Sequence, residues 1–300
     1  MRRPDQWVSS NVSKAHLEFA PKQKPPRLQR AMKALRRTFS SISVLMMRFS
    51  RLPRVPLFIV GLLITLSLIL PLQFAVISPG QGRDVLTSVI TIKGAPTYKS
   101  SGKLLVLTVL ATSPSSSLFG LDVIYSWIRG ETIVLPRSVV YPPNQSAKDI
   151  EKESTADMKN SQDAAALAAF SFLGFESNQS KITTSINLAD TGGPSGGLVF
   201  ALGVVEKLTS EDILAGRIVA GTGTIDPMGN VGAIGGINEK LISADRAGAS
   251  VFLFPVQNCA SVHHIPQGLK LYSVATLTEA VAVLKNPASA KPHCTWQQIR

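Results

Sequence analysis

Residues 191–208, TGGPSGGLVFALGVVEKL, place a glycine-rich turn directly before an apolar run. Apolar side chains recur in this run at i, i+3, i+4 and i+7, the spacing of a helix that buries one face. Ser195 therefore lies at a predicted helix N-terminus, where unpaired backbone N–H groups can stabilise an anion. Such a serine suits acyl transfer, although an ordinary N-cap after a glycine turn has the same pattern. The predicted buried positions are Leu198, Ala201, Leu202, Val205 and Leu208.

Strand-like and helix-like segments alternate on both sides of this stretch, which predicts an α+β or α/β domain. Residues rich in β-branched and aliphatic side chains predict strands, and 3.6-residue periodicity predicts helices. The predicted strands are residues 85–93, 103–111, 182–188, 217–222, 251–254 and 269–274. The predicted helices are residues 118–129, 161–173, 197–208, 239–247 and 277–285.

A second glycine pair begins the segment GGINEK over residues 235–240, whose Lys240 lies 45 residues after Ser195. Asn238 is the expected N-cap of the helix that follows, and Gly248 is its expected C-terminal glycine. Lys240 then lies in the first turn, where the helix dipole and burial both lower the pKa of an amine. A neutral amine can take a proton from a serine hydroxyl, whereas most helical lysines are simply exposed.

The charge of the chain is unevenly distributed. Residues 1–54 hold 13 of the 31 Lys and Arg but only two of the 19 Asp and Glu. The net charge of this tail is +11, which leaves +1 for the other 246 residues. A nucleic-acid site would place its positive charge on the folded domain, so we expect no nucleic-acid partner.

Residues 55–77 contain no charge and are long enough for a transmembrane helix. Arg48, Arg51 and Arg54 precede them, which predicts a cytoplasmic N-terminus and an extracytoplasmic domain at the cell membrane. Residues 27–51 mix basic and apolar side chains, a pattern typical of a helix on anionic lipid or of a solvated tail. Membrane lipid is thus an expected partner.

Cys259 and Cys294 are the two cysteines, and no Cys/His spacing typical of a zinc site accompanies them. We expect no metal. An oxidising compartment would permit a bond between the two thiols, but the sequence leaves their pairing open.

Three motifs together resemble the proteolytic domain of the Lon family, and in particular the membrane-anchored Lon-like proteins of actinobacteria. They are GPSGG at residues 193–197, GTGTID at residues 221–226 and GGINEKL at residues 235–241. The resemblance covers about residues 55–286 and is specific because the motifs occur in combination.

The resemblance implies a serine endopeptidase with a Ser-Lys dyad. Ser195 would be the nucleophile, Lys240 the general base, and Thr222 the hydroxyl that orients the amine. The backbone N–H groups of Ser195 and Gly196 would form the oxyanion hole, and Pro194 fixes φ just before the nucleophile. Polypeptides would be the substrates, and a homo-oligomer is expected because Lon-type domains form rings.

Three departures from the family pattern stand out. Gly196 replaces the usual alanine, and Thr224 lies where the ATP-driven members have glutamate. Only residues 176–183 occupy the place of the PDZ module found in anchored relatives. Residues 94–103 hold seven residues between their glycines, not the four of a phosphate-binding loop, so we expect ATP-independent activity without a cofactor.

The expected organisation is a basic tail (1–54), a membrane helix (55–77), one proteolytic domain (79–287, with its dyad core at 179–286) and a C-terminal tail (288–300). Two other interpretations stay open. The G-x-S-x-G pattern at residues 193–197 also fits an α/β-hydrolase esterase, with Asp226 or Asp245 and His263 or His264 completing a triad. A catalytically silent, membrane-tethered interaction protein could also retain this fold.

Overall fold

The computed structural model describes residues 54–142, 145–175, 182–188 and 191–295. The predictions for the basic tail, including a helix over residues 27–51, and for most of the segment 176–183 lie outside these residues. The chain divides into two units between Thr65 and Leu66, and the second unit holds both glycine motifs.

Mixed α and β elements confirm the predicted class. The strands are β1 (Pro71–Leu72), β2 (Phe74–Asp84), β3 (Ile90–Lys93), β4 (Lys103–Ala111), β5 (Leu118–Phe119), β6 (Ile133–Pro136), β7 (Thr183–Ile186), β8 (Ile218–Gly221), β9 (Thr224–Ile225), β10 (Val231–Gly232), β11 (Val251–Pro255) and β12 (Lys270–Val274). The α-helices are α1 (Arg54–Ile69), α2 (Gly120–Arg129), α3 (Arg137–Val140), α4 (Ala147–Phe172), α5 (Gly197–Leu208), α6 (Ile237–Arg246) and α7 (Leu277–Lys285).

A six-stranded sheet in the order β12-β11-β8-β4-β2-β6 forms the frame of the second unit. Strands β4, β8, β11 and β12 are parallel, whereas β2 runs antiparallel to both β4 and β6. Parallel neighbours bring their carboxyl ends to one edge of the sheet, which is where α/β folds place their sites.

The prediction of one continuous helix over residues 55–77 is wrong. Helix α1 ends at Ile69, just before Pro71, because proline cannot donate the backbone hydrogen bond that a helix needs. The chain then enters β2, where Ala75 pairs with Leu135 and is 1% exposed. Among the described residues, no helix has both the length and the apolar content to cross a membrane.

The core lies on both faces of the sheet. Side chains alternate along a strand, so Leu104 and Val106 of β4 join the core around α5, while Leu105 and Leu107 join the core under α6. Helix α5 is buried on all sides rather than on the one predicted face, because α4 and α7 cover the side that the sheet does not.

Local patterns predicted some element bounds well and others poorly. The bounds predicted for β4, α5 and α7 are those observed. Residues 85–89 instead form a turn, in which Asp84 Oδ1 accepts a hydrogen bond from the N–H of Leu86. Helix α4 begins 14 residues before its predicted start, because Ser146 caps it by accepting from the N–H of Asp149.

Cys259 and Cys294 form a disulfide with their Cα atoms 5.4 Å apart. Cys259 belongs to the core under α6, and Cys294 follows α7. The bond therefore ties the end of the described chain to the domain.

Candidate active site

The glycine-rich loop before α5 is held by α4. The N–H of Gly193 donates to the carbonyl oxygen of Ser154 at 2.9 Å, and the Ser161 hydroxyl donates to that of Pro194, also at 2.9 Å. Gly193 has φ +85°, which favours glycine. The two bonds place Ser195 just before the first turn of α5. Sequence reasoning missed both serines, because only the fold brings α4 to this loop.

Gly196 packs tightly against the ring of Phe200. A Cβ added at Gly196 would lie 2.8 Å from Phe200 Cε2 and 3.2 Å from Val106 Cγ2. The backbone at Gly196, with φ −89°, is open to any residue, so the lack of space rather than the conformation explains the glycine. The aromatic ring fills the space that an alanine methyl group would occupy.

Lys240 lies in the first turn of α6, as predicted, and is 2% exposed. The helix begins at Ile237 after Gly236, which has φ +69°. The predicted N-cap role of Asn238 is wrong, because its side chain bonds instead to the backbones of Ser261 and His263.

Thr222, directly after β8, connects the lysine to the serine. Lys240 Nζ donates a hydrogen bond to Thr222 Oγ1 at 3.0 Å, and Thr222 Oγ1 donates to the carbonyl oxygen of Ser195 at 3.1 Å. The N–H of Gly223 donates to the same carbonyl at 2.9 Å. Thr222, at the carboxyl end of the central strand β8, thus connects Ser195, which precedes α5 on one face of the sheet, to Lys240 of α6 on the other face.

Burial lowers the pKa of Lys240 to about 8, because an ammonium group in the protein interior loses its hydration. The carboxylate of Glu239 opposes this by favouring the charged amine. Glu239 is itself 2% exposed, and burial raises its pKa. A substantial fraction of Lys240 is therefore neutral near pH 8 and can accept a proton.

Two backbone N–H groups beside Ser195 are candidates for binding an oxyanion. Within the described chain, neither the N–H of Ser195 nor that of Gly196 has a protein acceptor, and both residues line a cleft beside α5. Free N–H groups at a helix N-terminus can bind the oxyanion that forms in acyl transfer.

The cleft has a volume of about 300 Å³. Residues 106–110 of β4 line it together with Ser195, and Met158 and Leu188 make it partly apolar. No group of His, Cys, Asp and Glu side chains in the described ranges is arranged to bind a metal. The residues that line the cleft are Gln81, Arg83, Val106, Leu107, Thr108, Val109, Leu110, Met158, Leu188, Thr191, Gly192, Ser195 and Gly196.

The residues of the alternative hydrolase triad are not assembled at this cleft. The carboxylate of Asp226 accepts hydrogen bonds from backbone N–H groups of its own tight turn. Asp245, His263 and His264 are exposed, and none of the four lines the cleft that holds Ser195. The buried Lys240, in contrast, is connected through Thr222 to the backbone carbonyl of Ser195.

Serine-type endopeptidases with a Ser-Lys dyad need a serine before a helix N-terminus, a buried lysine with a lowered pKa and backbone N–H groups without acceptors, and this site has all three. Comparison with known families specifies the kind: residues 148–286 match the model of the Lon protease (S16) C-terminal proteolytic domain. This segment is therefore a Lon-like protease domain, and it contains Ser195, Thr222 and Lys240.

Curated Lon proteases from several bacteria are similar to this segment. The protein of Haemophilus influenzae is 35% identical over 100 residues, 32% of this chain and 12% of that protein. The protein of Buchnera aphidicola is 34% identical over 95 residues, 30% of this chain and 12% of that protein. That of Clostridioides difficile is 40% identical over 78 residues, 26% of this chain and 10% of that protein. The chain thus matches about a tenth of the length of these relatives.

Proposed function

We propose that the chain is an ATP-independent serine endopeptidase that uses Ser195 as nucleophile and Lys240 as general base. The observation that carries this is the buried hydrogen-bonded path from Lys240 through Thr222 to the carbonyl of Ser195. Independence from ATP is proposed because the 300 residues contain no phosphate-binding loop motif.

The reaction begins when Ser195 Oγ attacks the carbonyl carbon of the scissile peptide bond. The hydroxyl proton passes to the Lys240 amine, and the oxyanion is stabilised by the N–H groups of Ser195 and Gly196. The tetrahedral intermediate collapses, the C–N bond breaks, and protonated Lys240 returns the proton to the leaving amine. Water, activated by the same amine, then hydrolyses the acyl-enzyme ester.

Thr222 keeps the Lys240 amine in position for both proton transfers. A neutral amine has two N–H bonds and one lone pair, so donation of one N–H to Thr222 leaves the lone pair for the serine proton. The Thr222 hydroxyl can accept this bond with a fixed geometry because its own proton is given to the carbonyl of Ser195.

An extended polypeptide is the substrate that the cleft fits best. Strand β4 pairs with β8 only over Lys103–Val106, so among the described residues no strand occupies that edge of Leu107–Ala111. A peptide in β-conformation can pair with an open strand edge, which would lay its scissile carbonyl beside Ser195.

Labelling with a serine-directed acylating probe and hydrolysis of an unstructured protein test this proposal. We expect Ser195→Ala and Lys240→Met to abolish both signals, with His263→Ala as the matched control that leaves them unchanged. Circular dichroism checks that each variant is folded. Normal labelling of folded Lys240→Met contradicts the dyad, and lack of labelling in the wild-type chain favours the silent interaction protein.

We further propose that the chain is attached to the cell membrane through α1, with the protease domain on the extracytoplasmic side. Large apolar residues of α1 are exposed on all sides of the helix, an arrangement that lipid can cover. The Cys259–Cys294 disulfide supports an oxidising compartment. Alkaline carbonate extraction and protease accessibility in oriented membrane vesicles test attachment and side.

The homo-oligomer implied by the resemblance is also a proposal. Mass measurement of the detergent-solubilised chain tests it, and a monomer at all concentrations would contradict it.

A further inference from the structure

Helix α2 is amphipathic, but its apolar face is exposed instead of packing against the core. Leu121, Ile124, Tyr125 and Ile128 recur at i, i+3, i+4 and i+7, the stripe that normally faces a core. Each of these four side chains is exposed, by 47% to 75%, whereas Ser126 is buried. Trp127, beside the stripe, is 80% exposed. We call these five apolar residues the α2 patch; single exposed apolar residues are ordinary, but a whole stripe indicates a surface that something covers.

The α2 patch lies next to the end of the apolar helix α1. The backbone of Gly120 approaches that of Ser67 so closely that a Cβ on Gly120 would be 2.4 Å from the Ser67 carbonyl oxygen. Strand β1 pairs antiparallel with β5, the two residues before α2, and fixes this proximity. Ile69 and Leu70, at the same junction, are 59% and 47% exposed.

Lipid is the occupant that this combination favours. The patch adjoins a helix end that is apolar and exposed, so one medium can cover both, and a bilayer does so without a separate partner. Tyr125 and Trp127 are the aromatic types that concentrate at the level of lipid headgroups. The Arg129 guanidinium lies 5.4 Å from the centre of the Tyr125 ring, where it can reach lipid phosphates from the end of α2.

The acidic residue of α2 does not prevent contact between the α2 patch and lipid. Asp122 lies in the first turn, and its carboxylate accepts a hydrogen bond from the N–H of Phe119 at 2.9 Å. Its charge is thus used to cap the helix start.

We propose that α2 lies in the membrane–water interface with the α2 patch inserted in lipid. The proposal rests on the proposed membrane attachment and adds a second contact, which holds the protease domain close to the bilayer in a defined orientation. An interfacial helix buries its apolar face about 5–10 Å into the headgroup boundary, while its polar face stays in water.

The depth of Trp127 tests this. In the full chain, Trp7→Phe and Trp296→Phe leave Trp127 as the only tryptophan. This variant is reconstituted into phosphatidylcholine/phosphatidylglycerol vesicles that contain lipids brominated at shallow acyl positions. The matched control replaces all three tryptophans with phenylalanine and carries Tyr98→Trp as its only tryptophan. Tyr98 is 46% exposed and precedes the first residue of β4.

We expect shallow brominated lipid to quench Trp127 at least twofold more than the control tryptophan, and acrylamide to quench it less. The triple change Leu121→Ser, Ile124→Ser and Ile128→Ser should reduce lipid quenching to the control level and leave peptide hydrolysis in detergent unchanged.

Flotation with vesicles but no lipid quenching of Trp127 overturns the interfacial position alone. If the Trp127 emission shifts to the blue with rising protein concentration and not with added lipid, a second copy of the chain covers the α2 patch, which overturns the lipid contact. Failure to float overturns the attachment proposal as well.

Discussion

Lys240 Nζ lies 3.0 Å from Thr222 Oγ1, and the same hydroxyl donates to the carbonyl oxygen of the residue that carries the proposed nucleophile. The lysine is therefore held by a hydrogen bond and not by a carboxylate, so its amine can be neutral at moderate pH. Buried general bases with this kind of orienting partner are common where a hydroxyl must be activated.

Thr222→Val should lower kcat/KM for a peptide substrate by about 10- to 100-fold, because the amine loses its orienting partner while its burial is preserved. Thr222→Ser keeps the hydroxyl and should retain most of the activity. Steady-state kinetics of both variants measure the effect. Equal activity of the valine variant and the wild type would contradict the orienting role.

The activity should rise with pH through the pKa of Lys240, which burial lowers to about 8. The neutral amine is the competent base, so below pH 8 kcat/KM should fall about tenfold per pH unit, and above pH 9 it should level off. A pH profile of kcat/KM with a peptide substrate measures this. A flat profile from pH 5 to pH 9 would exclude the titration of Lys240.

Glu239→Gln should move the midpoint of that profile to lower pH, because the carboxylate of Glu239 raises the pKa of Lys240. At pH 6.5 the variant should then be more active than the wild type if both remain folded. Asp245→Asn, an exposed change on the same helix, is the control and should leave the midpoint in place. A shift to higher pH would reverse the assigned sign.

Gly196→Ala should cost about 1–3 kcal/mol of unfolding free energy, because the added methyl group collides with the ring of Phe200. Urea denaturation measures the loss, and peptide hydrolysis should fall with it as the loop shifts. Adding Phe200→Leu makes room and should restore part of the activity of Gly196→Ala. No improvement in the double variant would show that the ring is not the obstacle.

Loss of the disulfide should destabilise the domain by about 3–4 kcal/mol, because the bond closes a loop with a sequence separation of 35. Urea denaturation of Cys294→Ser against the wild type measures this. A reducing agent should lower the stability of the wild type to that of the variant and leave the variant unchanged. Peptide hydrolysis without urea should persist in both, since neither cysteine lines the cleft.

Features that depend on near neighbours in the chain could be predicted from the sequence. Helix α5 follows from its apolar spacing after a glycine-rich turn, and the position of Lys240 in a first helical turn follows from the second glycine pair. The resemblance of three short motifs to the Lon family also indicated that Thr222 is a residue of the site. These predictions succeed because glycine turns and helical periodicity act over a few residues.

Features that depend on remote residues were decided only by the tertiary structure. Residues 71–77 look like the end of a membrane helix, yet they form strands because Leu118–Phe119 and Ile133–Pro136 offer them paired edges. The pairing of Cys259 with Cys294 likewise needed the fold.

The same distinction separates the candidate residues of the site from its geometry. The sequence by itself determined which serine and which lysine were candidates, and the shape of the helix that follows the serine. The tertiary structure decided that α4 holds the loop, that Phe200 occupies the space beside Gly196, and that Lys240 is buried against Thr222. Hydrogen bonding and close packing between distant segments depend on three-dimensional distances, which local sequence patterns do not contain.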